Sequence, residues 1–201
     1  PHLAALLETL VENYDHIRRL FDGNWLMKAV NWLAHRRNRN SRTGSKKNIH
    51  AHYDLGNAFY STWLDRSMTY SSARFDGADR SLEAAQQAKY AALARMMDLK
   101  PGMSVLEIGC GWGGFAEFAA REIGAQVTGL TISKEQYDFA RRRLFNAGLS
   151  DRATIELTDY RDVQGRFDRV ASIEMFEAVG QEYWPAYFDK IHDVLEPGGL
   201  A

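Results

Sequence analysis

The stretch VLEIGCGWGG, Val105–Gly114, sets an apolar run directly before a cluster of glycines. Such a run reads as a strand that ends in a tight turn and opens a helix. Glycine permits the turn and lets a ligand approach the backbone, while the first turn of the following helix offers unpaired N–H groups. The stretch is therefore a strand–turn–helix unit suited to holding a small molecule.

Working outward, the same unit repeats. Strands are expected at Met103–Ile108, Gln126–Leu130, Ala153–Leu157 and Phe167–Ile173. Helices are expected from Ser81 to about Leu99, from about Trp112, from Lys134, and over Tyr183–Leu195. Ser81 is a helix cap, Lys100-Pro101-Gly102 a helix stop, and Ser133 with Gln136 a capping box. Alternation at this spacing implies a parallel sheet with helices on both faces, an α/β fold of Rossmann-like type. Glu196-Pro197-Gly198-Gly199 reads as a turn leading into a further strand. With only four strands legible, the sheet is expected to be incomplete at the C-terminal end and the chain a fragment.

Before this region, Leu3, Leu6, Leu7, Leu10, Val11, Tyr14, Ile17 and Phe21 recur at helical spacing and predict one first helix. Trp25–Ala34 predicts a second. From His35 to Lys47 the chain carries Arg36, Arg37, Arg39, Arg42, Lys46 and Lys47 without an acid. This basic arm closes an N-terminal helical segment, residues 1–44, and leaves 45–201 as the main domain.

Composition bounds the function. A chain of 201 residues with 45% hydrophobic content buries one sizeable core, and its formal net charge of -1 excludes a uniformly basic nucleic-acid binder. Cys110 is the only cysteine, so no intrachain disulfide forms and a cytoplasmic setting is expected. No apolar run approaches the roughly 18 residues of a membrane span, and no leader is legible. Membrane contact is expected to be peripheral.

Gly109, Gly111 and Gly114 fit the G-x-G-x-x-G spacing of a dinucleotide turn. A nicotinamide site wants an acid about 20 residues further on for the ribose, and the second strand ends instead in Gly129-Leu130-Thr131. The acid here is Glu107, two residues before the first glycine, which gives E-x-G-x-G-x-G over Glu107–Gly113. That pattern resembles the S-adenosylmethionine site of Rossmann-like methyltransferases, where a carboxylate suits the cationic methionine end.

Four stretches in order, NIHAHYDLGNAFYSTWLDRSMTYSSARF, VLEIGCGWGG, GLTISKEQ and SIEMFEAVG, extend the likeness. From about Lys46 onward the chain resembles the cyclopropane-fatty-acyl-phospholipid synthases, including the mycolic acid cyclopropane synthases. The resemblance implies S-adenosylmethionine as cofactor, with Tyr70 and Ser71 covering it. Gly109, Cys110 and Gly111 would form the turn with Glu107 as the acid before it, Thr131 and Gln136 the ribose and methionine contacts, and Asp159 and Tyr160 the adenine end. Glu177 matches a carboxylate that holds a bicarbonate ion, and Ser72 stands where the family commonly has cysteine. Serine keeps a small polar side chain and the same backbone N–H. A histidine and a tyrosine of the family's pocket would lie beyond Ala201.

A sulfonium methyl is electrophilic and an isolated C=C bond a poor nucleophile, so transfer requires close positioning without water. The carbocation formed is stabilised by aromatic faces, on the order of 0.5 to 2 kcal/mol each, and Tyr53, Phe59, Tyr60 and Tyr70 are available. Glu177 would position the bicarbonate that takes the proton. Loss from the added methyl closes a cyclopropane, and loss from a neighbouring carbon leaves a methyl- or methylene-branched chain.

The partners implied are an unsaturated phospholipid acyl chain and the inner face of the membrane, where the basic arm suits anionic head groups. A homodimer is compatible with this reading, and no nucleic acid is expected. Competing readings are an oxidoreductase on the same turn, a small-molecule methyltransferase, and a non-catalytic lipid-binding relative. His50-x-His52 with Asp54 has the residue types of a metal site but lacks a further cluster, and no metal is expected. Glu174 beside Glu177 is weak evidence for a hydrolytic pair.

Overall fold

The structure, a computed structural model, describes residues 3–21, 56–75, 77 and 81–201. The chain divides into two compact units, Pro1–Arg39 and Asn40–Ala201. In the first unit the expected single helix is two, α1 (Leu3–Glu12) and α2 (Tyr14–Phe21). The break is at Asn13, whose side-chain amide donates to the Thr9 carbonyl at 2.8 Å. Asparagine competes in this way for helical backbone partners. The helix expected at Trp25–Ala34, the basic arm, Tyr53 and the His50–His52–Asp54 group lie outside the described residues.

The described part of the second unit opens with the short helix α3 (Gly56–Tyr60) and an irregular segment through Phe75. Helix α4 (Leu82–Met96) follows, with the Ser81 hydroxyl accepting from Ala84 N–H at 3.2 Å as its cap. It stops before the expected Pro-Gly. Asp98 takes a left-handed φ of 45°, and the Leu99 N–H returns to the Ala94 carbonyl, a Schellman-type end.

The sheet is wholly parallel, in the order β3-β2-β1-β4-β5. Its strands are β1 (Ser104–Ile108), β2 (Gln126–Thr131), β3 (Ala153–Leu157), β4 (Phe167–Ala171) and β5 (Leu195–Leu200). Helices α5 (Gly114–Phe118), α6 (Lys134–Asn146) and α7 (Trp184–Val194) connect them. Side chains alternate across β1: Val105 joins a core with Tyr90, Phe115, Ala140 and Leu144, while Leu106 and Ile108 join one with Val170, Tyr187 and Val194. Helices α4, α5 and α6 thus cover one face and α7 the other.

The fifth strand corrects the sequence-based count. Glu196-Pro197-Gly198-Gly199 lies inside β5, where Phe167 pairs with Leu195 and Arg169 with Leu200. Two steps along β4 therefore face five along β5, and the extra residues bulge, with Gly198 at φ 83°. The turn chemistry is present, but it bends a strand at the sheet edge.

Strand order reverses between β1 and β4. In open parallel sheets ligands bind in the crevice beyond the carboxyl ends of the strands at such a switch point.

Candidate active site

A cavity of about 970 Å³ opens at that crevice. Three groups of predicted residues line it: Tyr70, Ser71 and Ser72; Glu107, Gly109, Cys110 and Gly111; and Thr131, Gln136, Asp159, Tyr160 and Glu177. Phe59 and Tyr60 do not line it, and Tyr53 is not described.

The glycine turn is shaped by space as much as by torsion. A Cβ at Gly109, where φ is 80°, would sit 2.7 Å from Met175 Cγ, whereas a Cβ at Gly111 would meet nothing within 4 Å. Met175 thus packs close to the first glycine, and open space borders the second. Cys110 is buried, and its thiol is pushed well above its usual pKa by burial and then by Glu107. A neutral thiol is a poor nucleophile. It packs instead against Gly129, where a Cβ would lie 3.2 Å from the Cys110 sulfur.

Glu107 is 3% exposed, and its Oε2 has no hydrogen-bond partner. Burial pushes its carboxyl up to about 8, while an N–H from Ala116 and the charges of Arg143 and Lys89 act in the opposite direction. Among the described residues the other buried acceptor without a partner is Gln86 Oε1, in the same cavity. Two open acceptors in one cavity suit a ligand that donates hydrogen bonds, above all a cation.

The capping box at α6 is only half made. The Ser133 hydroxyl accepts the Gln136 N–H at 3.4 Å, but the Gln136 side chain does not reach back. Its Oε1 accepts from the Thr131 hydroxyl at 2.9 Å, and Thr131 Oγ1 accepts the Ser133 N–H at 3.1 Å. Gln136 is thereby held at the end of β2, on the cavity.

At the other end Asp159 is committed more fully than expected. Its two carboxylate oxygens accept from the Arg161 guanidinium at 2.8 and 2.6 Å, and Oδ1 also accepts the Arg161 N–H at 3.1 Å. An adenine amino group would have to share that carboxylate with Arg161. Tyr160 packs edge-on against Tyr187, with ring centroids 5.3 Å apart.

The irregular segment over the cavity is tied on several sides. Trp112 Nε1 donates to Asn57 Oδ1 at 2.6 Å, and the Tyr60 ring lies 4.9 Å from that of Trp112. Tyr60, Trp63 and Tyr70 pack together. Arg143 of α6 pairs with Glu117 and donates to the Ser67 carbonyl at 2.6 Å and that of Trp112 at 3.1 Å. Ser72 gives both its N–H and its hydroxyl to Glu174. Glu174, Gln86 and Arg161 line the cavity and Lys89 holds Ser71 and Ser72 of the segment over it; sequence motifs assigned none of the four. Glu174 has one signal, an acid three residues before Glu177, and the others have none.

The 3-2-1-4-5 parallel sheet, with its glycine turn and acid at the switch point, defines a Rossmann-like fold of the S-adenosylmethionine-dependent methyltransferase class. Residues 40–201 match the family described as mycolic acid cyclopropane synthetase. The chain belongs to that family. It is 46% identical over 167 residues to a "Probable fatty acid methyltransferase" of Pseudomonas putida, covering 82% of this chain and 42% of that protein. It is 47% identical over 149 residues to the cyclopropane-fatty-acyl-phospholipid synthase of Escherichia coli, covering 74% and 38%. The chain thus spans about two fifths of the length of these relatives. A crystal structure of mycolic acid cyclopropane synthase CmaA1 complexed with SAH and CTAB superposes with a TM-score of 0.73 at 34% identity, covering 75% of this chain and 53% of that one.

Proposed function

We propose that this chain carries the cofactor site of an S-adenosylmethionine-dependent enzyme that adds a one-carbon group to the double bond of an unsaturated phospholipid acyl chain. The product is a cyclopropane or a methyl- or methylene-branched chain. The protein acts on the inner face of the membrane, as a peripheral protein, and a homodimer suits this role. Among the described residues no helix is long and apolar enough to cross a membrane.

One observation carries the reading: a single cavity of about 970 Å³ is lined both by the glycine turn with Glu107 and Gln86 and by the aromatic side chains of Trp63 and Tyr70. That volume is near the upper end of the roughly 300–1,000 Å³ of ligand sites. The residues fit S-adenosylmethionine. Glu107 and Gln86 offer open acceptors to the ammonium, Gly111 lets the backbone come close, and Thr131–Gln136 and Asp159–Tyr160 serve the ribose and adenine. The bound cofactor supplies an electrophilic methyl group.

The protein's own part is positioning, charge stabilisation and proton removal. Tyr70 and Trp63 line the cavity, and their rings stabilise positive charge developing on the acyl chain, on the order of 0.5–2 kcal/mol each. Tyr53 is assigned the same role. Glu177 holds the bicarbonate that accepts the proton, with Ser72 beside it. Glu174 competes with that ion for the donors of Ser72.

The test is incubation of full-length protein with methyl-labelled S-adenosylmethionine and unsaturated phospholipid vesicles, then mass spectrometry of the released fatty acids. A gain of one CH₂ in the acyl chain is expected. Label transfer to water-soluble acceptors alone would overturn the lipid reading.

A further inference from the structure

Helix α4 presents Gln86 and Lys89 three residues apart, hence on one face. Both reach the same dipeptide of the covering segment. Gln86 Nε2 donates to the Ser71 carbonyl at 2.8 Å. Lys89 Nζ donates to the Ser71 hydroxyl and, at 2.8 Å, to the Ser72 carbonyl. From the opposite side Glu174, just beyond β4, accepts the Ser72 N–H at 2.8 Å and the Ser72 hydroxyl. Met68–Phe75 forms neither helix nor strand, so no ladder of its own fixes this segment. The dipeptide is bolted between an ammonium on α4 and a carboxylate across the cavity.

We propose that Lys89 is a positioning residue of the cofactor site: its ammonium fixes Ser71–Ser72 to α4 and so sets Tyr70 and Ser72 over the cavity. The inference rests on the reading of that cavity as an S-adenosylmethionine site. Lys89 holds two acceptors on adjacent residues, and charge-assisted donors are the strong ones. Truncation to methionine keeps the apolar stem and removes the bolt.

The groups facing Lys89 come from every side. They are Glu174 beyond β4, Asp65 at the start of the covering segment, Glu107 on β1, and the ring of Tyr90 on its own helix, 5.2 Å from Nζ. Burial lowers the ammonium's pKa from 10.5, and the three carboxylates oppose that shift. Loss of the proton on the alkaline side removes the charge that holds the segment. Arginine keeps its charge throughout this range.

The experiment titrates S-adenosylhomocysteine into full-length wild-type protein and the Lys89→Met and Lys89→Arg variants by calorimetry. A melting temperature is recorded for each. Lys89→Met is expected to weaken binding about tenfold at pH 7.5 while melting near the wild-type temperature, and Lys89→Arg to restore most of the loss. Lys89→Met binding within twofold of wild type overturns the proposal, as does Lys89→Arg binding no better than Lys89→Met. Wild-type protein that does not bind S-adenosylhomocysteine overturns the cofactor reading itself.

Discussion

Glu174 Oε1 accepts both the backbone N–H of Ser72, at 2.8 Å, and its hydroxyl. Ser72 stands where the family resemblance implies a bicarbonate pocket, with serine in place of the usual cysteine. Glu174 is also one of three non-glycine residues at positive φ among the described residues, at 48°. A left-handed backbone costs an L-residue about 1 kcal/mol or more and persists where the surroundings enforce it.

The first prediction follows from that competition. Glu174→Gly relieves the torsion and frees both Ser72 donors for an external anion. Lipid methylation should be half-saturated by bicarbonate at a concentration about tenfold or more lower in Glu174→Gly than in the wild type. Turnover measured in carbon-dioxide-depleted buffer with graded bicarbonate decides the matter. Half-saturation at the same concentration in both proteins would show that the ion binds without the Ser72 donors.

The second prediction concerns Glu107. Its carboxyl is raised to about 8 by burial, from an ordinary value of 4.5. A raised carboxyl contributes stability that is full below about pH 4.5 and lost as the pH rises through about 8. The ligand-free protein should therefore lose stability across that window, and Glu107→Gln should lose less. An ammonium brought beside the carboxyl favours its charged form, so cofactor binding at pH 7 should release up to about one proton. Calorimetry in buffers of differing ionisation heat reads that proton directly. Release of equal size from Glu107→Gln would assign it elsewhere.

Much of this architecture is legible in the sequence because its signals are local. The run Val105–Ile108, the glycines after it and the cap at Ser133 each lie within a few residues of the element they start. β5 was not legible, since Pro197-Gly198-Gly199 carries turn chemistry whichever way the surrounding strand pairs. The site divides in the same way. Residues of the glycine turn and of the family's motifs line one cavity, whereas Lys89 and Glu174 gain meaning only from contacts 18 and 102 residues away in sequence. On α4 alone, a lysine facing out of the core reads as solvent-exposed charge. Asp159 was legible as a polar group near an aromatic, but not its capture by Arg161, which depends on the Tyr160–Asp162 turn.

The third prediction separates cofactor contact from helix capping at the end of β2. Thr131 is buried, and its hydroxyl serves two neighbours: it donates to Gln136 Oε1 and accepts from the Ser133 N–H. Thr131→Val keeps the shape and removes both bonds, leaving two buried groups without partners at about 1–3 kcal/mol for each. Urea unfolding should show a loss of about 2 kcal/mol or more. Gln136 also loses the contact that holds it toward the cavity, so affinity for S-adenosylhomocysteine should drop about tenfold, while Thr131→Ser retains both properties. Gln136→Leu provides the control. If Gln136 itself meets the ligand, Gln136→Leu weakens binding as much as Thr131→Val does. If Gln136→Leu loses stability but binds as wild type, the pair is a structural brace, and the contact belongs to the backbone at the end of β2.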